Sequence, residues 1–143
     1  MTRELRAIVS LGLPLPPSVN KAFAARRGSH LLMKTAAYRF WVQQVKEEHG
    51  AGRLLPAIGG GAYGLWIDLS PKMRGDIDNR TKLLSDVIKT PRSAKDYGLG
   101  VVHDDSAMAG VHLAWLHGLA PDRCRATAVH MAAWADYVVL RMG

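Results

Sequence analysis

Between residues 62 and 88 the apolar pattern changes period, and that change limits the possible folds more than any other feature of the chain. Over residues 62–70, Tyr63, Leu65, Ile67 and Leu69 alternate with Ala62, Gly64, Trp66 and Asp68. This is the pattern of a central strand with one face more apolar than the other. Further on, Leu83, Leu84, Val87 and Ile88 fall on one side of a helix and read as its buried face. Between the two patterns lies the stretch 75–86, GDIDNRTKLLSD. Asp76 and Asp78 stand two apart at the strand's exit, so an extended backbone aims both to one side. Asp78, Lys82 and Asp86 are four apart, each about 40° round the helix from the last, and form one polar stripe. A strand thus delivers the chain to a helix entrance that carries two carboxylates, with an ammonium group one turn further in.

Oxygen ligands of this kind bind hard divalent cations, and Mg²⁺ typically takes one or two carboxylates together with phosphate oxygens and water. The doublet Asp104-Asp105 adds carboxylates if the fold brings it close. Ordinary helix chemistry accounts for part of the pattern, because Asp78 suits an N-cap and Lys82 with Asp86 makes an i,i+4 pair. One N-cap needs one acid, however, and leaves Asp76, Asp104 and Asp105 unexplained. Lys72, Arg74 and Arg80 crowd the carboxylates, either as salt-bridge partners or as groups that draw a phosphodiester toward bound metal.

The 143 residues suit one domain, and a formal charge of +7 points to a polyanionic partner. The single Cys124 excludes an intrachain disulfide and argues against a thiolate zinc site. No apolar run has the length of a membrane span, and the opening MTRELRAIVS lacks the core of a signal peptide, so a cytoplasmic protein is expected.

Residues 6–13 read as a strand stopped by Pro14, Pro16 and Pro17. Ser18 and Asn20 in the following turn can bond local amides or a phosphate. Lys21, Arg26, Arg27, His30 and Lys34 then form a basic loop, an arm suited to a phosphate backbone. Thr35 caps a helix to about residue 49, ended by Gly50, with Tyr38, Trp41, Val42 and Val45 on its apolar side. Residues 50–61 read as a connector. Lys89, Arg92 and Lys95 lie in or beside a loop over 90–100 that can reach DNA. His103 is a candidate base or simply a solvated partner of the neighbouring acids. An antiparallel-style strand over 109–117, another over about 125–133 and a short terminal strand or tail over 137–140 complete the chain. The expected fold is α+β: a single compact domain over residues 1–143, with a small mixed sheet packed by two helices.

The chain resembles the RusA family of Holliday junction resolvases, often encoded by phages and prophages. The resemblance rests on the turn Pro16-Pro17-Ser18-Val19-Asn20, on Ala37-Tyr38-Arg39, on GDIDNRTKLLSD and on His103-Asp104-Asp105-Ser106-Ala107-Met108. It implies a homodimer that resolves four-way DNA junctions in recombination and repair by paired symmetric nicks, using Mg²⁺ or Mn²⁺. Carried onto this sequence, the catalytic carboxylates match Asp76, Asp78 and Asp105, and the catalytic lysine matches Lys82. Asp104 would ligate the metal or orient a ligand. Two features depart from the pattern: the stretch between Asp86 and Asp104 is longer, and Gly75 directly precedes Asp76 where arginines are usual. A less selective branched-DNA or flap nuclease would use the same ligands, and a non-catalytic basic DNA-binding protein would need none. The exposed faces of the N-terminal strand and of the strand holding Val111 and Trp115 are the candidate dimer surfaces.

Overall fold

The computed structural model describes residues 3–18, 22–25, 32–50, 54–73, 75, 80–93 and 96–143. In chain order the elements are β1 (Leu5–Arg6), β2 (Ile8–Pro14), β3 (Phe23–Ala25), β4 (Leu32–Lys34), α1 (Ala36–Val45) with a π turn (Lys46–Gly50), β5 (Ala57–Ile58), β6 (Tyr63–Leu69), α2 (Thr81–Ile88), a 3₁₀ turn (Asp105–Ala107), β7 (Met108–Trp115), β8 (Arg123–His130) and α3 (Met131–Met142). The main sheet has four strands in the order β2-β8-β6-β7. β8 runs antiparallel to β2 and β6, while β7 is parallel to β6. The result is a single compact α+β domain with a mixed sheet, as the sequence led us to expect.

Strand alternation sorts the side chains of the sheet onto two faces. On one, Leu65, Ile67 and Leu69 meet Val9, Leu11 and Leu13 of β2 and the small residues Cys124, Ala126 and Ala128 of β8. Tyr38, Trp41 and Val45 of α1 and Leu83, Leu84, Val87 and Ile88 of α2 close over them. Each fully buried Leu or Ile side chain here contributes roughly 1.5–3 kcal/mol. Thr35 caps α1 as expected, its Oγ1 accepting from the Tyr38 amide at 3.3 Å. Trp41 Nε1 donates to the Pro14 carbonyl at 2.8 Å and so ties α1 to the end of β2.

The other face departs from expectation. β8 ends at His130, and residues 131–142 form α3 where a strand end and a tail were expected, which makes three α-helices among the described residues. Ala133, Trp134, Tyr137, Val138 and Arg141 recur at helical spacing, and this stripe packs on Trp66 and Val129. The His130 ring starts the helix by accepting from the Ala132 amide through Nδ1 at 3.1 Å. Gly64 lies under the Trp134 ring, where a Cβ would come within 2.3 Å of ring carbon. Asp68, 0% exposed, accepts from Trp66 Nε1 at 3.1 Å and from the Arg141 guanidinium, which also donates to the Tyr137 hydroxyl at 2.8 Å. β6 is therefore covered on both faces, and all its residues are buried.

Three smaller expectations are also corrected. The strand expected at 109–117 spans 108–115 and pairs parallel, because α2 and the loop after it carry the chain back to the start of β6. The basic loop contains the antiparallel pair β3 and β4. The connector contains β5, which pairs parallel with β1. The two strands singled out as dimer surfaces are the two edges of the main sheet, and Val111 and Trp115 on β7 are 47% and 49% exposed. Among the described residues no helix is long and apolar enough to cross a membrane.

Candidate active site

The end of α2 and the acidic doublet meet because the loop between them folds back along the helix end. Leu99 N donates to Val87 O at 2.7 Å and Val101 N to Ile88 O at 2.8 Å, while Thr90 N donates to Val102 O at 2.9 Å. Lys89 and Val102 form a parallel bridge. Gly98 lies directly against the Lys89 carbonyl, where a Cβ would come within 2.0 Å of the oxygen. Asp104 and Asp105 follow two and three residues beyond Val102, so this backbone zipper sets them beside α2.

The side chains form one alternating chain of charge. Lys82 Nζ lies 3.6 Å from Asp86, which is 3.4 Å from Lys89 Nζ, which is in turn 3.8 Å from Asp105. Arg92 Nη2 then reaches Asp105 at 3.5 Å and Asp104 at 2.8 Å. Lys89 is the least exposed link among the cations, its side chain 14% exposed, whereas Lys82 and Arg92 at the ends are 59% and 62% exposed. Lys82, Asp86, Lys89, Arg92 and Asp105 line one depression of about 370 Å³ together with Lys34, Tyr38, Asp96 and Tyr97.

The two acids of the doublet differ. Asp104 caps the 3₁₀ turn: its Oδ1 accepts from the Asp105 amide at 2.9 Å and from Arg92, and its Oδ2 accepts from Ser106 Oγ at 2.7 Å. The Arg92 guanidinium, and then the Ser106 hydroxyl, hold the Asp104 carboxyl well below the usual carboxylate range. Among the described residues the Asp105 carboxylate has two longer contacts, to Lys89 and Arg92, so its oxygens are the less committed. Two tyrosines lie within reach of these charges. Burial pushes the Tyr38 phenol up to about 12, with Asp86 and Asp96 adding to it. Burial does the same to Tyr63, with Asp105 and Asp104 adding. The Tyr63 hydroxyl is buried with no hydrogen-bond partner among the described residues.

Lys82, Asp104, Asp105, Lys34, Lys89 and Arg92 are therefore brought together. Lys72 and Arg80 line a separate depression, with Arg80 7% exposed and donating through Nε to the Pro16 carbonyl at 3.0 Å. That bond ties the proline-rich turn to the start of α2. The helix begins at Thr81 behind Arg80, which supplies no side-chain cap. His103 is exposed and shares a shallow hollow with Arg92 and Asp104. Asp76, Asp78, Asn20, Lys21, Arg26, Arg27, Arg74 and Lys95 lie outside the described residues. Asp86 belongs to the polar stripe expected on α2 and Lys89 to the basic residues expected to reach DNA, but the bridge they form to Asp105 was not expected. Their three-residue spacing in the sequence signals the ion pair but not the contact with Asp105, which depends on the return of the loop.

The acidic oxygens described at the site are of the kind a hard cation takes. Among the described residues no three His, Cys, Asp or Glu side chains gather into a metal-holding group, and Asp86 stands across Lys89 from Asp105. Asp105, with Asp104 beside it, offers the one or two carboxylates that Mg²⁺ takes when water and phosphate oxygens complete its shell. Among the described residues the thiolates and imidazoles of a zinc centre are not gathered there.

No protein-family model matches the chain, and no curated protein matches it.

Proposed function

We propose that the protein is a divalent-metal-dependent endonuclease that resolves four-way DNA junctions by paired nicks, acting as a homodimer in recombination and repair. The observation that carries this reading is the approach of Asp105 to the Lys82–Asp86 face of α2 across a single ammonium group, on a chain of net charge +7. The motif resemblance supplies the rest, with Asp76 and Asp78 as the companions of Asp105.

In this reading Asp105, Asp76 and Asp78 would hold Mg²⁺ or Mn²⁺, and Asp104 would orient its neighbour through the capped turn. The bound ion would supply Lewis acidity and a water of lowered pKa. Lys82, exposed at the rim, meets the scissile phosphate and offsets the charge that builds on its oxygens. Lys89 fixes Asp86 and Asp105 relative to each other, so the carboxylate is oriented before substrate arrives. Arg92, exposed at the mouth, would exchange a carboxylate for a phosphodiester, which a guanidinium binds well. Two nicks related by a two-fold axis require two such sites, which a C₂ dimer provides.

The test compares cleavage of a four-way junction, a flap and a plain duplex, with and without Mg²⁺, by wild type, Asp78→Asn, Asp105→Asn and Lys82→Ala. Symmetric junction cutting that needs the cation and falls on the order of a hundredfold in each variant is the expected result. Equal cutting of flap and junction would reassign the protein as a less selective branched-DNA nuclease. Cutting that needs no divalent ion, or survives loss of Asp78, would sink the proposal.

A second reading, a non-catalytic basic DNA-binding protein, is favoured by one observation: Asp86, Asp104 and Asp105 are each paired with a cation. Under it, Asp76→Asn and Asp105→Asn leave binding unchanged, and affinity depends steeply on salt but not on metal.

A further inference from the structure

We infer that the outer face of α1 is a track for the DNA strand flanking the acid site, gripping its phosphodiester backbone without reading its bases; the inference rests on the DNA reading above. Arg39, Gln43 and Lys46 recur at i, i+4 and i+7 on that face and are exposed. The helical rise spreads them over about 10 Å. A DNA strand advances about 3.4 Å per phosphate along its axis, so the row spans about three phosphates.

The row is cationic. Among the described residues no carboxylate forms an ion pair with Arg39 or Lys46. Arg39 Nη1 donates to the Lys34 carbonyl at 3.0 Å, and Lys46 Nζ stands over the Tyr97 ring at 4.9 Å. Lys34 Nζ, at the junction with the acid site, stands over the Tyr38 ring at 5.2 Å and lies 3.9 Å from Asp96. Glu47, the neighbouring acid, is engaged by Gln43 Nε2 at 3.5 Å. Positioning the Lys46 ammonium over a ring rather than against a carboxylate leaves its charge available to an incoming anion.

The track is also continuous with the site. Arg39, Gln43 and Lys46 line a depression of about 330 Å³ together with Lys34, Tyr38 and Tyr97. The last three also line the depression that holds Lys82 and Asp105. A polyanion seated at the acid site therefore has one cationic path along α1. Tyr38, 6% exposed, is too buried to stack on a base, so the contact is to backbone.

The experiment measures binding of a labelled four-way junction and a scrambled-sequence junction by fluorescence anisotropy over a salt series in EDTA, with cleavage in Mg²⁺ assayed in parallel. The full chain is compared with Arg39→Gln/Lys46→Gln and with Gln43→Lys. The double variant should bind on the order of tenfold more weakly on both sequences, with its salt slope shallower by about 2, and Gln43→Lys should bind more tightly. An unchanged slope in the double variant, beside a wild type that binds and cuts, overturns the track and leaves the nuclease reading standing. A wild type that neither binds nor cuts DNA removes both. A poly-glutamate peptide that displaces the junction from wild type as well as unlabelled DNA of equal charge overturns the track in favour of an acidic protein partner.

Discussion

Lys89 and Asp105 are sixteen positions apart, yet the Lys89 ammonium stands 3.8 Å from the Asp105 carboxylate and 3.4 Å from Asp86, joining the two acidic segments through one largely buried cation. Lys89→Met removes that cation and leaves Asp86 and Asp105 facing each other. Stability at pH 7 should fall by about 1–3 kcal/mol, read as a lower urea midpoint with unchanged slope. Lys89→Arg should restore most of it.

Arg92 and Asp104 predict a pH dependence of known sign. The folded carboxyl lies below its ordinary value of 3.8, so its contribution to stability is complete above that value and fades as pH falls below it. Arg92→Ala should bring the Asp104 pKa back up toward the ordinary range, as followed by carboxyl NMR. The stability difference between wild type and variant should shrink on acidification from pH 5 to pH 2. A difference that grew instead would contradict the pairing.

The unequal commitments of Asp104 and Asp105 separate the effects of their substitution. Asp104→Asn disturbs a cap and an orienting contact and should lower Mg²⁺-dependent cleavage by about tenfold. Asp105→Asn should lower it on the order of a hundredfold while leaving thermal stability nearly unchanged. Isothermal titration with Mn²⁺ should show the same ranking in metal affinity.

On the opposite face, Arg141→Ala strands the carboxylate of Asp68, which is 0% exposed. Removing one partner of a buried pair destabilises by about 3–5 kcal/mol, and the Arg141 side chain, 22% exposed, places this one at the lower end. Trp66 fluorescence should shift to the red as α3 loosens. Arg141→Met with Asp68→Asn should recover part of the loss.

Gly98→Ala tests the return of the loop. Its Cβ would meet the Lys89 carbonyl at 2.0 Å, backbone against side chain, and neither can give easily. We expect a loss of about 1–3 kcal/mol together with a fall in cleavage, because the same displacement moves Lys89 away from Asp105.

How far the sequence foretold this depends on which residues are considered. β6 and α2 were legible because Tyr63 to Leu69 keep strict alternation and Leu83, Leu84, Val87 and Ile88 keep helical spacing, each a local signal. α3 was not, because the β-prone run Thr127-Ala128-Val129 passes into Met131 with no glycine or proline to mark the change, and Tyr137-Val138-Val139 is itself strand-like. Without α3, Trp66 and Asp68 read as the less apolar side of a one-sided strand, whereas the helix buries both. In the candidate site, Lys82 with Asp86 was legible for the same local reason. The meeting of Asp105 with Lys89 was not, since it depends on hydrogen bonds made across the loop between Leu99 and Val102 and the end of α2.

Those cross-loop bonds also couple motion to chemistry. The amides of Leu99 and Val101 are held by carbonyls of Val87 and Ile88, so they exchange with deuterium only when the helix end lets go. Whatever frays that end carries Asp104 and Asp105 away with it, and the lifetime of the assembled centre can be no longer than the lifetime of those few amide contacts.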